Sequence, residues 1–451
     1  MKRNIARWRA ALAVLVAALG LGAHALASSR SASAAPASRL TVWPEFGLNP
    51  QRSDATAKPT GITAANVGHL AGRTVALPGT VDSSPIYLHG ADVGGARHDA
   101  AFMTTDYGIT IALDTSSGRI LWRFRPPGLH KWLGSGQITT ASPILDPGHR
   151  FLYATSPNGV VHKLSVATGR EQPGWPVSIT PLPEREKLTA SLNISGGYLL
   201  ASTGGYFGDA PPYVGHLAAI SLARHRIAHV FNTLCADRDT IIAPASCSAS
   251  DSAILSRSGP VVEPGGQRVL IATGNAPYNG TTDFGDSVIE LTLPALKLRQ
   301  AYTPTNHAEL NSSDTDLGSG SPARTGGELQ TLPIPGGGQI FTTPAVWQHL
   351  LFVADGGGTG AFRVSGKRLT QVWENGTPGT SPILAGGLLY VYNPGGSLVV
   401  YRPASGKVIA TLQAAAGHWN SPIVVDGHIL IPTGDDNDHA TSGSIQIYSA
   451  R

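Results

Sequence analysis

The chain has 451 residues and a formal net charge of +4, and charged residues make up only 14% of it. Four of its 33 basic residues (Lys2, Arg3, Arg7 and Arg9) precede residue 27, where no acidic residue occurs, so 29 basic side chains then face 29 acidic ones. A neutral body has no electrostatic drive toward nucleic acid or an anionic membrane surface, and neither is expected as a partner.

The basic start runs into AALAVLVAALGLG (10–22) and small residues ending Ala25-Leu26-Ala27, the pattern of an export signal over 1–27. The alternative is an uncleaved anchor, since the apolar run stretches to about 18 residues, the lower limit for spanning. No twin-arginine pair precedes the run and no cysteine follows it. Residues 28–40 read as a disordered leader. The mature protein is therefore expected outside the cytoplasm, periplasmic or secreted, without a membrane span, and as a monomer.

Residues 41–80 carry no repeat signal apart from one strand candidate, GRTVALP (72–78). From 82 onward the chain repeats itself. Ser84-Pro85, Ser142-Pro143, Gly259-Pro260, Ser321-Pro322, Thr343-Pro344, Ser381-Pro382 and Ser421-Pro422 each open an apolar strand, followed by glycine-containing turns and further strands. The last two pairs stand 40 positions apart, the period of a propeller blade. Glycine at 54 and proline at 33 fit so many turns.

The first full repeat (82–125) contains ALDTSSGRILWRF. Asp114 can hydrogen-bond back into the turn, Gly118 can take the left-handed conformation, and Trp122 falls where it can wedge against a neighbouring blade. Trp175 and Trp373 end weaker copies, and packing between sheets is the expected role of all three tryptophans. Further repeats fit at 140–178, 190–231 and 257–304. Cys235 and Cys247, the only cysteines, are expected to pair in an exported protein; free thiols or metal ligands are the alternatives. The stretch 314–335 is too short for four strands. The count is seven repeats, or eight if that stretch keeps a sheet. The final repeat has only three strands before the chain ends, so 72–78 is expected to complete it and close the ring. The reading is an all-β propeller over 41–451 with seven to eight four-stranded antiparallel blades.

These features resemble the PQQ-like β-propellers, the superfamily of quinoprotein alcohol dehydrogenases. The residues that carry the likeness are Ala112, Asp114, Gly118 and Trp122, GITAANVGHL (61–70), ATGNAPYN (272–279) and YTPTN (302–306). The resemblance implies a site on the propeller axis for the quinone PQQ and a calcium ion, with an aspartate as base. It places Asn275 where that family has a calcium ligand. It also places Asn306 where an acidic residue is expected, and an amide cannot take a proton as a carboxylate does. The two adjacent cysteines often found over the quinone have no counterpart in Cys235 and Cys247. The superfamily also contains non-enzymatic propellers that hold proteins together in the bacterial envelope.

Other candidates come from the residues themselves. Asp314 and Asp316 in SSDTDLGSG are candidate ligands of a hard cation, or turn caps. Asp435, Asp436, Asp438 and His439 in GDDNDHATSG read first as a solvated hairpin loop. His418, Trp419 and Asn420 precede an inner strand, where they either face the central funnel as a ligand site or pack at the ring closure. The candidate cofactor residues are thus Asn275, Asn306 and Trp419, and the candidate metal ligands Asn275, Asp314 and Asp316. No catalytic residue can be named. No nucleophile elbow, zincin motif or phosphate loop is present. The leading expectation is a non-catalytic module of the envelope or exterior that binds a small molecule or an envelope protein. The alternative is a divergent PQQ-dependent alcohol or sugar dehydrogenase.

Overall fold

Alternation of apolar residues within each repeat has a direct cause in the computed structural model, which describes residues 38–206, 210–322, 329–337 and 339–450. The expected signal (1–27) and most of the leader lie outside the described residues. Each repeat is an antiparallel sheet, spanning 86–124, 144–178, 193–232, 261–302, 345–375, 383–413 and 423–449. We number these blades 1 to 7. Blades 1, 2, 3, 6 and 7 share an apolar cluster with the neighbour on each face, so successive side chains of one strand enter different cores. Leu199 and Ala201 pack with Tyr153 and Val161 of blade 2, whereas Leu200 between them packs with Val269 and Ile271 of blade 4.

The ring closes as the sequence predicts. Ala71–Leu77 pairs antiparallel with Gly443–Ser449, from Ala71 opposite Ser449 to Leu77 opposite Gly443, and supplies the fourth strand of blade 7. Seven blades form among the described residues. The stretch 314–335 keeps no sheet there; it holds only a 3-10 turn, Leu317–Ser319, just after a short helix, His307–Ser312. This excursion lies between blades 4 and 5, and no apolar cluster of described residues joins those two blades.

Tryptophans tie blades together at the outer side. The Trp122 indole N–H donates to the Val166 carbonyl of blade 2 at 2.9 Å, and that of Trp373 to the Pro403 carbonyl of blade 6 at 2.8 Å. Each indole lies against a turn glycine: a Cβ on Gly169 would stand 2.6 Å from Trp122, and one on Gly406 2.6 Å from Trp373. Asp114 caps its own turn through the Ser117 amide at 2.7 Å, and Gly118 there has φ +77°. Cys235 and Cys247 are joined in a disulfide that closes a loop after blade 3, a constraint generally worth about 2–4 kcal/mol.

The segment without repeats does something the sequence did not announce. Residues 40–54 run past the ends of the inner strands remote from the Ser-Pro openings, and they bond to every blade. The carbonyls of Leu40, Thr41, Pro44, Pro50, Ser53 and Asp54 accept from Asp426, His89, Leu145, Val262, Val346 and Leu384, on blades 7, 1, 2, 4, 5 and 6 in turn. Blade 3 is held by Arg52, whose Nη2 donates to the Leu192 carbonyl at 2.7 Å. Short strands Val42–Trp43 and Ala55–Thr56 extend the inner edges of blades 1 and 6. Leu40, placed by the sequence at the end of a disordered leader, is buried with Trp43 and Phe46.

Arg52 is the centre of this plug. Its guanidinium is fully buried and also meets Glu45 Oε2 at 2.7 Å, the Phe46 carbonyl at 2.7 Å and the Ser258 carbonyl at 2.9 Å. Burial pushes the Glu45 carboxyl up to about 7, against the pull of Arg52. Arg52→Ala leaves three carbonyls and a carboxylate without their donor in a dry site, so it is expected to cost about 3–5 kcal/mol. Chemical denaturation measures this. A loss below about 1 kcal/mol, the size of an exposed ion pair, would show that the plug does not hold the ring.

Candidate functional site

With one end of the axis plugged, the other end, where the inner strands begin, collects the polar residues. The signal is in the repeat itself. Three positions before the opening proline stand Asp82, Thr140, Arg257, Phe341, Gly379 and Trp419, and the ring brings several of them together. Arg257, before blade 4, reaches Asp82, before blade 1, donating from Nη1 to its carbonyl at 2.6 Å and lying 3.4 Å from its carboxylate. Asp82 Oδ1 also accepts the Trp419 amide at 3.0 Å, and Phe341 stacks on Trp419 at 5.2 Å between centroids.

His418 joins this group from before blade 7. Its Nδ1 lies 2.7 Å from Asp82 Oδ2, 3.1 Å from Asp436 Oδ1 and 3.4 Å from Asp435 Oδ1. Lys187 Nζ, before blade 3, pairs with Asp436 Oδ2 at 3.0 Å. Asp436 is therefore not in a solvated hairpin. It is buried, while Asp438 beside it is exposed. Burial alone would lower the His418 pKa, but hydrogen bonds to Asp436 and Asp82 outweigh it and hold the ring charged up to about 9. Burial would likewise raise Asp436, yet Lys187 and His418 drive it well below the usual carboxylate range. Asp106 has the opposite fate: burial, then the charges of Asp82 and Asp436, push it well above that range.

Beside this cluster a cleft of about 490 Å³ opens, lined by Gln137, Arg185, Lys187, Tyr206 and His439 among others. His439 Nδ1 is buried without a hydrogen-bond partner. The lining combines apolar surface from Ile138, Tyr206 and Ala210 with the opposite charges of Glu184, Arg185 and Lys187, the mixture typical of small-molecule clefts.

The sequence-predicted residues divide into three groups. Asn275, Asp314 and Asp316 meet: Asn275 Nδ2 donates to Asp314 Oδ1 at 2.7 Å and its backbone amide to Asp316 Oδ1 at 3.0 Å. Trp419 belongs to the axial cluster, stacked on His418 at 5.0 Å. Asn306 joins neither; it is exposed and opens the helix His307–Ser312 without a side-chain cap bond. One hydroxyl–imidazole–carboxylate line also exists, with Ser156 Oγ at 2.6 Å from His162 Nε2 and His162 Nδ1 at 2.5 Å from Glu171 Oε1. Ser156 and His162 are buried between blades, and a nucleophile needs access to substrate, so this is packing.

Comparison with known proteins places the fold. The protein family described as outer membrane protein assembly factor BamB matches residues 322–442. The quinohemoprotein alcohol dehydrogenase of Comamonas testosteroni superposes with a TM-score of 0.67 at 13% identity, over 92% of this chain and 82% of that one. The fold is that of a PQQ-like β-propeller. The europium-containing methanol dehydrogenase gives this propeller a TM-score of 0.66 at 12% identity, over 91% of this chain and 98% of the other. A quinohemoprotein alcohol dehydrogenase of Pseudomonas putida HK5, ADHIIG, gives 0.67 at 12% identity, covering 91% and 80%. No curated protein matches the chain. At such identities the shared property is the PQQ-like fold.

The charge on His418 has a consequence for stability. Its folded pKa lies above the ordinary 6.5, so the stabilisation it gives is complete below that value and is lost as pH rises through about 9. Wild-type stability measured from pH 6.5 to 9.5 is expected to fall relative to His418→Gln, whose profile lacks this component. Parallel profiles for the two proteins would remove His418 from the network.

Proposed function

We propose that this PQQ-like propeller is a non-catalytic binding module of the cell envelope or exterior, with the cleft at the open end of the axis as its ligand or partner site. The reading rests on one observation. Arg257 and Lys187 cross from blades 4 and 3 to Asp82 and Asp436 on blades 1 and 7, so the chain's own ion pairs occupy the axis. A flat quinone carrying several carboxylates needs open space and uncommitted cations there, and these residues do not fit it. Asn306, exposed on its helix, supplies no base. No helix among the described residues is long and apolar enough to cross a membrane.

A second reading, a divergent quinoprotein dehydrogenase, is favoured by Asn275. Its Oδ1 is buried without a hydrogen-bond partner, and its amide nitrogens bond Asp314 and Asp316. These oxygens fit calcium, which takes carboxylates and amide carbonyls. If calcium binds there, the three residues hold and orient it, and it would supply Lewis-acid polarisation.

A titration separates the readings. Mature protein is mixed with PQQ, with and without calcium, and followed by absorbance and thermal melting. No change is expected at cofactor concentrations up to about 1 mM, where a ligand with a Kd near 10 μM would add about 2.7 kcal/mol. Calcium-dependent binding of PQQ that is lost in Asn275→Ala would overturn the non-catalytic reading.

A further inference from the structure

Two groups of histidine and carboxylate residues bring their ligand atoms within 4.8 Å of one another among the described residues. The axial group, Asp82, His418, Asp435 and Asp436, already faces Lys187, Arg257 and the charged His418 ring. Its negative charge is answered by the protein. The second group, His89, Asp99 and Asp426, stands at the other end of the ring and is not answered in that way.

His89 lies where the first strand of blade 1 bulges between Leu88 and Ala91, and Asp99 lies on the second strand. Asp426 comes from blade 7, in the turn after the strand Ile423–Val425. His89 Nδ1 is 2.8 Å from Asp99 Oδ1 and 2.7 Å from Asp426 Oδ2. One ring nitrogen has a single hydrogen or a single lone pair, yet two carboxylate oxygens converge on it. Among the described residues Arg39 is the only arginine or lysine ion-paired with either carboxylate, at 3.2 Å from Asp426 Oδ1, and its side chain is half exposed. Both carboxylates are held in place from behind. The Tyr87 hydroxyl donates to Asp426 Oδ2 at 2.9 Å, and the Gly90 amide donates to Asp99 Oδ1 at 3.0 Å. Such supporting bonds fix the orientation of metal ligands. The outer side is open, because the His89 side chain is 54% exposed.

We propose that His89, Asp99 and Asp426 form a binding site for a divalent cation of the zinc class. An imidazole nitrogen with two carboxylate oxygens suits zinc better than calcium or magnesium, which take oxygen ligands, and three protein ligands leave room for water. The ligands come from the first and last blades. The ion therefore spans the junction at which the ring closes, as a latch added to the pairing of Ala71–Leu77 with Gly443–Ser449.

The test uses chelator-treated full-length mature protein titrated with zinc chloride by calorimetry and by thermal melting, with magnesium as control. One equivalent of zinc is expected to bind, and the melting temperature is expected to climb with zinc concentration. His89→Ala and Asp99→Asn are each expected to weaken binding by more than about tenfold, the least that loss of a supporting contact costs. His418→Gln is expected to leave it unchanged. Absence of stoichiometric binding at about 0.1 mM zinc, a concentration at which a Kd near 1 μM gives full occupancy, overturns the proposal. So does undiminished binding in His89→Ala, or binding lost in His418→Gln alone, which would move the ion to the axis.

Discussion

The buried guanidinium of Arg52 is the contact on which the architecture depends. Seven sheets packed face to face around an axis leave their inner edges pointing at it, and the backbone groups along those edges need partners. A single extended segment, threaded where the inner strands end, answers the backbone groups that face it. Arg52 then gathers carbonyls from blades 3 and 4 and from the plug itself. An arginine suits this position because its planar fork serves several acceptors at fixed angles. Glu45 keeps that charge from standing alone.

Closing one end of the axis decides what the other end can do. At the end where the Ser-Pro openings lie, the loops before blades 1, 3, 4 and 7 contribute charges that neutralise one another across the ring. Such a network makes the blades sense each other: a ligand that competes for Lys187 or Arg257 exposes a buried aspartate on a distant blade. Hydride chemistry would ask for a free base and open space in the same place.

The sequence made the blades legible because each depends on local chemistry that recurs. Pro after a small residue starts a strand, a glycine at positive φ turns the chain, and a tryptophan returns onto the next blade's glycine. Closure by 72–78 was legible too, since a three-stranded final repeat leaves an edge to be paired. The plug had no such trace. Residues 40–54 bond through backbone carbonyls, to which any sequence can contribute, and only the buried pair of Glu45 and Arg52 is particular to it. The axial cluster was half visible. Trp419 and His418 stood out by type, whereas Asp82, Lys187 and Arg257 look like ordinary loop charges until the ring brings them face to face. Asn275 was picked from the family resemblance and the Asp314–Asp316 pair from its own motif, and the fold assembled them. Asn306 was picked by analogy of position, and a local helix carried it outward.

The strand that finishes the ring comes from the beginning of the chain, and Thr74 hydrogen-bonds to Gln446 across 372 positions. A chain emerging from its N-terminus must keep Ala71–Leu77 unpaired until Gly443–Ser449 arrives. Its partner does not exist before then. Six blades can form in order from local contacts, but the seventh waits for both ends to meet, which is the slowest kind of contact a chain makes. Losing Gly443–Ser449 therefore removes more than a strand: it leaves two open sheet edges, on His428–Thr433 and Ala71–Leu77, ready to pair with another molecule.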